Sequence, residues 1–266
     1  MADNETSTSG WALITGASSG IGRELAHWFA KDRIPLVLVA RRGNELQALA
    51  HELRSSFGVE ISVEPADLTD ANAPARIFER MQSDGRFVEY LVNNAGFGTS
   101  GKFWELDRAK EVAQVQLNVA ALTDLCRLFL PEMVKAGRGR VLNIASTAAF
   151  QPGPLMSTYY ATKAYVLSFS EGLAGELDGT GVTVTCHCPG ATQTEFAKTA
   201  GNDDSRLFQR SGVASAAEVA AHAYAAMNKG KPLAIHGALN RFGAWSVRFA
   251  PRSMAAGIAK KLNQKA

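Results

Sequence analysis

Tyr159 and Lys163 stand four residues apart in the run Tyr159-Tyr160-Ala161-Thr162-Lys163. Helical geometry puts side chains at that spacing on one face, here a phenol beside an ammonium group. A free tyrosine titrates near ~10, so at neutral pH it is a poor proton donor and a worse base. A fixed positive charge nearby stabilises the phenolate and lowers that value, which makes the pair a tuned proton-transfer device. Tyr160 competes on paper. Its spacing to Lys163 is three, however, and its side chain is turned about 100° around the helix from that of Tyr159.

A second chemistry lies upstream. Thr15-Gly16-Ala17-Ser18-Ser19-Gly20-Ile21-Gly22 follows an apolar run over residues 11–14 and precedes an amphipathic stretch over residues 23–31. Strand, glycine turn and helix in that order let the backbone turn sharply and come close to a ligand. The new helix then points its free N–H groups and positive dipole end at the turn, where a pyrophosphate can sit. The spacing is Gly-x-x-x-Gly-x-Gly, not the Gly-x-Gly-x-x-Gly of most dinucleotide sites. Sites for NAD place an acid about 20 residues further on, to accept from the ribose 2′-hydroxyl. Here the segment is Val39-Ala40-Arg41-Arg42. A guanidinium binds a 2′-phosphate by charge-assisted hydrogen bonds, whereas a carboxylate would repel it. The sequence predicts NADP(H), with Arg41 the stronger candidate and Arg42 second.

The elements that must carry these groups alternate along the chain. Strands are predicted over residues 11–15, 35–40, 60–64, 88–92, 140–145, 182–187 and 233–236. Helices are predicted over 23–31, 45–57, 71–83, 108–135, 158–177 and 216–228. Continuous apolar runs such as Leu36-Val37-Leu38-Val39 suit strands buried on both faces. The expected fold is α/β: a Rossmann-like, doubly wound, seven-stranded parallel sheet with helices on both faces, binding ligands outside the carboxyl ends of its strands. The expected division is a polar, disordered N-terminal tail over 1–10, one catalytic domain over 11–240, and a helical C-terminal extension over 241–266. Within the domain, a cofactor half runs to about residue 145 and a substrate half from about 146 to 240. The polar stretch 195–215, with Gly201-Asn202-Asp203-Asp204, breaks the rhythm and reads equally as a lid or a passive surface excursion.

Other polar residues interrupt this pattern. Asn118 breaks an apolar helical stretch, which implies a buried partner or water. Ser146 ends an apolar strand at the ligand edge, where its hydroxyl can donate to a substrate carbonyl; Thr147 is its neighbour. Asp67 lies just after a strand, and Asp70 reads as a helix N-cap. Asn93 and Asn94 follow Leu91-Val92 and could be turn formers.

Taken in order over residues 11–200, these motifs resemble the short-chain dehydrogenase/reductase family. The resemblance implies a catalytic tetrad of Asn118, Ser146, Tyr159 and Lys163. Cofactor contacts would come from Gly16, Ser18, Ser19, Gly20, Ile21 and Gly22, and from Arg41 and Arg42. Asp67 and Leu68 would lie at the adenine ring, and Asn94, Ala95 and Gly96 beside the adenine ribose. Pro189, Gly190, Thr192 and Thr194 would contact the nicotinamide. Lys163 would hold the nicotinamide ribose, and Asn118 would anchor a water leading from Lys163 to solvent. The expected activity is reversible hydride transfer between NADP(H) and a carbonyl or alcohol, in a homodimer or homotetramer. A silent NADP(H)-binding sensor on the same fold is the alternative. Phe97, Phe150, Leu155, Met156 and Phe196 flank the motifs and would line an apolar substrate pocket, or belong to the core. No charged residue among them demands an acidic substrate.

Composition sets the outer bounds. At 266 residues, 46% hydrophobic and 20% charged, the chain suits one sizeable soluble domain. No apolar run approaches a membrane span, and the polar start has no signal-peptide core. Cys126, Cys186 and Cys188 read as reduced core residues and the five histidines are scattered, so a cytoplasmic protein without metal is expected. Nothing points to nucleic acid. Of 28 basic residues, Arg241, Arg248, Arg252, Lys260, Lys261 and Lys265 follow Asn240 with no acid among them. Phe242, Trp245, Phe249, Met254, Ile258 and Leu262 recur there at roughly helical spacing. Such a tail could lie on an anionic membrane; packing of its apolar face on the domain or a sister subunit is the favoured expectation.

Overall fold

Strand Trp11–Thr15 (β1) leads through the glycine turn into helix Gly20–Lys31 (α1), and the same unit recurs along the chain: Leu36–Ala40 (β2), Gly43–Phe57 (α2), Ile61–Pro65 (β3), Ala73–Ser83 (α3) and Val88–Asn93 (β4). A longer helical passage follows as Arg108–Val115 (α4), a π-helical turn Gln116–Ala121 and Leu122–Ala136 (α5). Then come Gly139–Ile144 (β5), Ser157–Glu176 (α6) and Val182–Cys188 (β6). A two-stranded ribbon of Thr192–Gln193 (β7) and Ala214–Ser215 (β8) brackets Glu195–Ala200 (α7). Ala216–Asn228 (α8), Leu233–Ile235 (β9), Ala238–Ser246 (α9) and Arg252–Asn263 (α10) complete the chain. The computed structural model describes residues 10–208 and 213–265. The N-terminal tail expected over 1–10 lies outside them, apart from Gly10.

Seven strands form one parallel sheet in the order β3-β2-β1-β4-β5-β6-β9. The order reverses between β1 and β4, which opens a crevice at their carboxyl ends. Successive side chains of a strand serve opposite faces. Leu13, Val37 and Val39 therefore pack with Leu125, Phe129 and Val166, while Ile14, Leu36 and Leu38 pack with Leu25, Phe29 and Leu53. This explains the uninterrupted apolar runs, since both faces of each central strand are dry. All three cysteines are free and buried, and all three belong to the first of these layers.

Three expectations need correction. The helix predicted over 108–135 is interrupted by the π-helical turn, which carries Asn118. The stretch 195–215 is more ordered than its polarity suggests, because α7 lies within it and β7 pairs with β8 across it; residues 209–212 lie outside the described residues. The C-terminal extension is helical as expected, but its large apolar side chains do not pack on the domain. Phe242, Trp245, Phe249, Met254 and Ile258 are exposed, and only Leu262 is half-buried. Small residues, Ala255 and Ala259, make the contact instead, with Asn263 beside them.

Candidate active site

The carboxyl ends of the central strands open on one cavity of about 710 Å³. Its far wall is the glycine turn. Gly16 and Gly20 have φ of +67° and +54°, a left-handed conformation that side chains disfavour. Gly22 does not line the cavity. A Cβ there would come 2.4 Å from Gly16 O and 2.5 Å from Asn94 Nδ2, so its part is to let α1 close on the turn. The Thr15 hydroxyl accepts from the N–H groups of Asn94 and Ala95, both at 3.0 Å, and donates to Val92 O at 3.2 Å. Asn94 Nδ2 donates to Thr15 O at 2.9 Å and Gly16 O at 3.3 Å. Asn94 is thus the brace of the turn as well as part of the wall.

The turn suits a pyrophosphate. The first turn of α1 holds no acid, and no side chain caps its N–H groups. The one carboxylate drawn to this place comes from elsewhere. Glu195, at the start of α7, pairs with Arg42 Nη2 at 2.9 Å and takes a hydrogen bond from Ser19; these two contacts, the Arg42 one larger, hold its carboxyl below the ordinary range. Arg42 also donates from Nε and Nη2 to Ser18 Oγ at 3.3 and 3.1 Å. Arg41 lines the cavity beside Asp67. Asp67 Oδ1 accepts from the Thr69 N–H and hydroxyl at 2.9 and 2.8 Å. The Thr69 N–H chiefly, with Arg41 contributing, lowers the Asp67 carboxyl. Leu68, Ala95, Gly96, Pro189, Gly190, Thr192 and Thr194 all line the same cavity, as do Ser18, Ser19 and Ile21. The cradle without Cβ atoms and the open helix terminus fit the pyrophosphate of a dinucleotide, with Arg41 and Arg42 on the wall beside them.

Ser146 leaves the end of β5, and Tyr159 and Lys163 come from α6; all three face the cavity. Lys163 Nζ donates to Ile144 O at 2.8 Å and lies 5.8 Å from the centroid of the Tyr159 ring. Burial pushes the Tyr159 phenol above its ordinary value, and the hydrogen bond from Ser146 partly offsets this. The expected lowering by Lys163 is not found: desolvation dominates, and Ser146 alone acts against it. Burial also lowers the Lys163 ammonium, to about 8.

Asn118 sits one layer behind the wall. Its Oδ1 accepts from Phe97 N at 3.2 Å, and its Nδ2 donates to Phe97 O at 2.9 Å and Thr162 Oγ1 at 3.1 Å. A Cβ on Gly96 would stand 3.1 Å from Asn118 Oδ1 and 3.6 Å from Lys163 Nζ, so glycine keeps the two side chains close. The neighbouring tyrosine plays a separate part. Tyr160 OH donates to Asn263 Oδ1 at 3.2 Å and anchors α10 to α6.

On the substrate side, Phe97, Met156 and Phe196 line the cavity, with the Phe196 ring 5.0 Å from that of Tyr159. Phe150 does not; it packs against the core and edges a separate hollow. Leu155 also stays outside the lining. Further apolar side chains of the lining come from Leu207, Phe208, Leu239, Ile258 and Leu262, remote in sequence from the motifs.

Sequence reasoning also missed a buried amide chain. Asn93 Nδ2 donates to Asn143 Oδ1 at 2.9 Å, and Asn143 Nδ2 to Ser170 Oγ at 2.9 Å, tying β4 and β5 to α6. Its signal was available, since Asn143 interrupts the apolar run Val141-Leu142-Asn143-Ile144. Similarly, the buried Glu111 accepts from the hydroxyls of Thr99 and Thr158 and binds α4 to the start of α6.

Comparison with known proteins gives a consistent picture. The profile of the family described as short chain dehydrogenase matches residues 10–205. A short-chain dehydrogenase from Sphingobium yanoikuyae, solved in complex with NADPH, is 37% identical with a TM-score of 0.81, over 90% of this chain and 94% of that one. A bulky-bulky ketone specific alcohol dehydrogenase from Comamonas testosteroni is 33% identical with a TM-score of 0.77, over 90% and 92%. A very-long-chain 3-oxoacyl-CoA reductase from Anas platyrhynchos is 32% identical over 71% of this chain and 61% of its own length.

Proposed function

This chain belongs to the short-chain dehydrogenase family, and from that premise we propose an NADP(H)-dependent oxidoreductase that moves hydride reversibly between the nicotinamide and a carbonyl or alcohol group. The observation that carries the reading is that Ser146, Tyr159 and Lys163 face the same cavity as the glycine turn and Arg41. When bound, the nicotinamide supplies the hydride. Arg41 and Arg42 hold the 2′-phosphate, and the turn with the α1 terminus holds the pyrophosphate. Asp67 and Leu68 border the adenine, and Pro189, Gly190, Thr192 and Thr194 border the nicotinamide.

In the reductive direction the Ser146 hydroxyl and the Tyr159 phenol donate to the carbonyl oxygen as its negative charge grows. Tyr159 then gives its proton to that oxygen. Lys163 stabilises the phenolate left behind, and Asn118, held by Phe97 and Thr162, anchors a water leading from Lys163 to solvent. The apolar wall of Phe97, Met156 and Phe196 favours a hydrophobic ketone or aldehyde. We take the exposed Val112, Val115 and Tyr165 to be covered by sister copies in a dimer or tetramer. No helix of the described residues is long and apolar enough to cross a membrane. The buried free thiols suit the reducing cytoplasm we assign it.

The test is NADPH oxidation against a broad carbonyl panel, with NADH in parallel. Turnover with NADPH is expected. Failure to consume NADPH with any carbonyl would favour the silent sensor, and a preference for NADH would refute the role given to Arg41.

A further inference from the structure

The last two helices are built inside out. Their packed face is made of small residues, Ala244, Ala255 and Ala259, with Asn263 Nδ2 donating to Pro154 O at 3.0 Å. Their outer face carries Leu239, 88% exposed, with Phe242, Trp245, Phe249, Met254 and Ile258, each more than half exposed. The rings of Phe242, Trp245 and Phe249 form a ridge, with centroids 6.4 and 4.7 Å apart. These side chains are not surplus core, because the domain beneath has already been filled by alanines. An exposed apolar ridge of this extent on two neighbouring helices marks a contact surface.

Charge selects the occupant. Arg241, Arg248, Arg252, Lys260 and Lys261 are exposed around the ridge. Among the described residues only Lys265 of the C-terminal cations has an acid partner, Asp204 at 2.9 Å. Residues 241–266 contain no acid. A second copy docking through this face about a two-fold axis would bring the same cations against themselves. An anionic lipid surface offers the opposite charge to the cations and hydrocarbon to the ridge.

We infer that the α9–α10 face docks the protein on an anionic membrane. The docking has a consequence for the substrate, which rests on the reductase reading above. Leu239, Ile258 and Leu262 line both this end of the molecule and the catalytic cavity. The cavity mouth therefore opens at the docked face, and a lipid-soluble carbonyl compound enters from the bilayer without crossing water.

The experiment is sedimentation of the full chain with phosphatidylcholine vesicles, with and without phosphatidylserine. Binding is expected only to the anionic vesicles, and it should weaken severalfold as salt is raised. A Phe242→Ser/Trp245→Ser/Phe249→Ser variant should lose about tenfold or more in partition. An Arg241→Glu/Arg248→Glu/Lys261→Glu variant should lose a similar amount, with NADPH binding of both variants confirming that they fold. No vesicle binding, or equal binding after charge reversal, overturns the proposal. So does a drop in oligomer size in the Ser variant with vesicle binding unchanged, which would assign the face to a second copy. Vesicle binding needs no turnover, so it stands or falls separately from the carbonyl panel.

Discussion

Replacing Tyr159 by Phe removes the proton that ends the reaction, and of the cofactor-binding residues only the Tyr159 hydroxyl is lost, while the glycine turn, Arg41 and Lys163 stay in place. Turnover should fall by about 10²–10⁴-fold while NADPH binding, followed by fluorescence titration, changes little; wild-type-like turnover would sink the mechanism. Tyr160→Phe should do the reverse, keeping turnover and losing about 1 kcal/mol of stability through its bond to Asn263. The two tyrosines were separable in the sequence because a helix turns by a fixed angle per residue, but the anchoring role of Tyr160 was not legible, since its partner lies 103 positions away. Asn118 was legible as a polar residue in an apolar helix. The π-helical turn that seats it was not, because one widened turn leaves no mark in hydrophobic periodicity. Lys163 carries a pH prediction. Its ammonium is lowered by burial to about 8, so the cation is present below that pH and lost above it. Reductive kcat/KM should therefore decline above about pH 8, and a profile flat to pH 10 would remove Lys163 from the proton path.

Among the elements, the strands of the seven-stranded sheet and the helices between them were legible to within about three residues, because each carries its own hydrophobic period. Helix α7 was not. Its six residues are held by Thr194 at its start, by the β7–β8 pair and by Glu195 reaching Arg42, contacts that bring together residues distant in sequence. That placement puts a carboxylate on Arg42, one of the two arginines to which we assign the 2′-phosphate. Glu195→Gln should tighten NADPH about two- to fivefold, the scale of an exposed ion pair, and leave NADH nearly unchanged. Isothermal titration with both nucleotides checks it. Equal shifts for the two would mean that Glu195 acts on the turn through Ser19 and not on the phosphate site. The C-terminal helices show a different limit of sequence reading. Their spacing disclosed two faces but not which one the domain takes, because alanines pack closely where larger side chains would hold the helix off.

At the scale of the whole molecule, His187 links the sheet to solution pH. It is buried on β6 with its Nε2 2.9 Å from His222 Nδ1, and burial first, then His222 and His236, hold its value down to about 3. The unfolded chain takes up this proton near 6.5, whereas the folded one does not until about 3. Stability is therefore full above pH 6.5 and falls as pH drops towards 3, by at most about 1.4 kcal/mol per unit for this group. The window between about pH 5.5 and 6.5 lies above the ordinary carboxyl range, so a falling Tm there reports mainly on histidine. His187→Gln should flatten it, and an unchanged slope would clear His187. The layered core also gives the molecule a chemical clock. Cys126, Cys186 and Cys188 all lie in the layer beneath α3, α5 and α6, and the layer beneath α1, α2 and α8 holds none. Alkylation of the native protein therefore times the opening of one side of the sheet alone, and stays silent while the other side breathes.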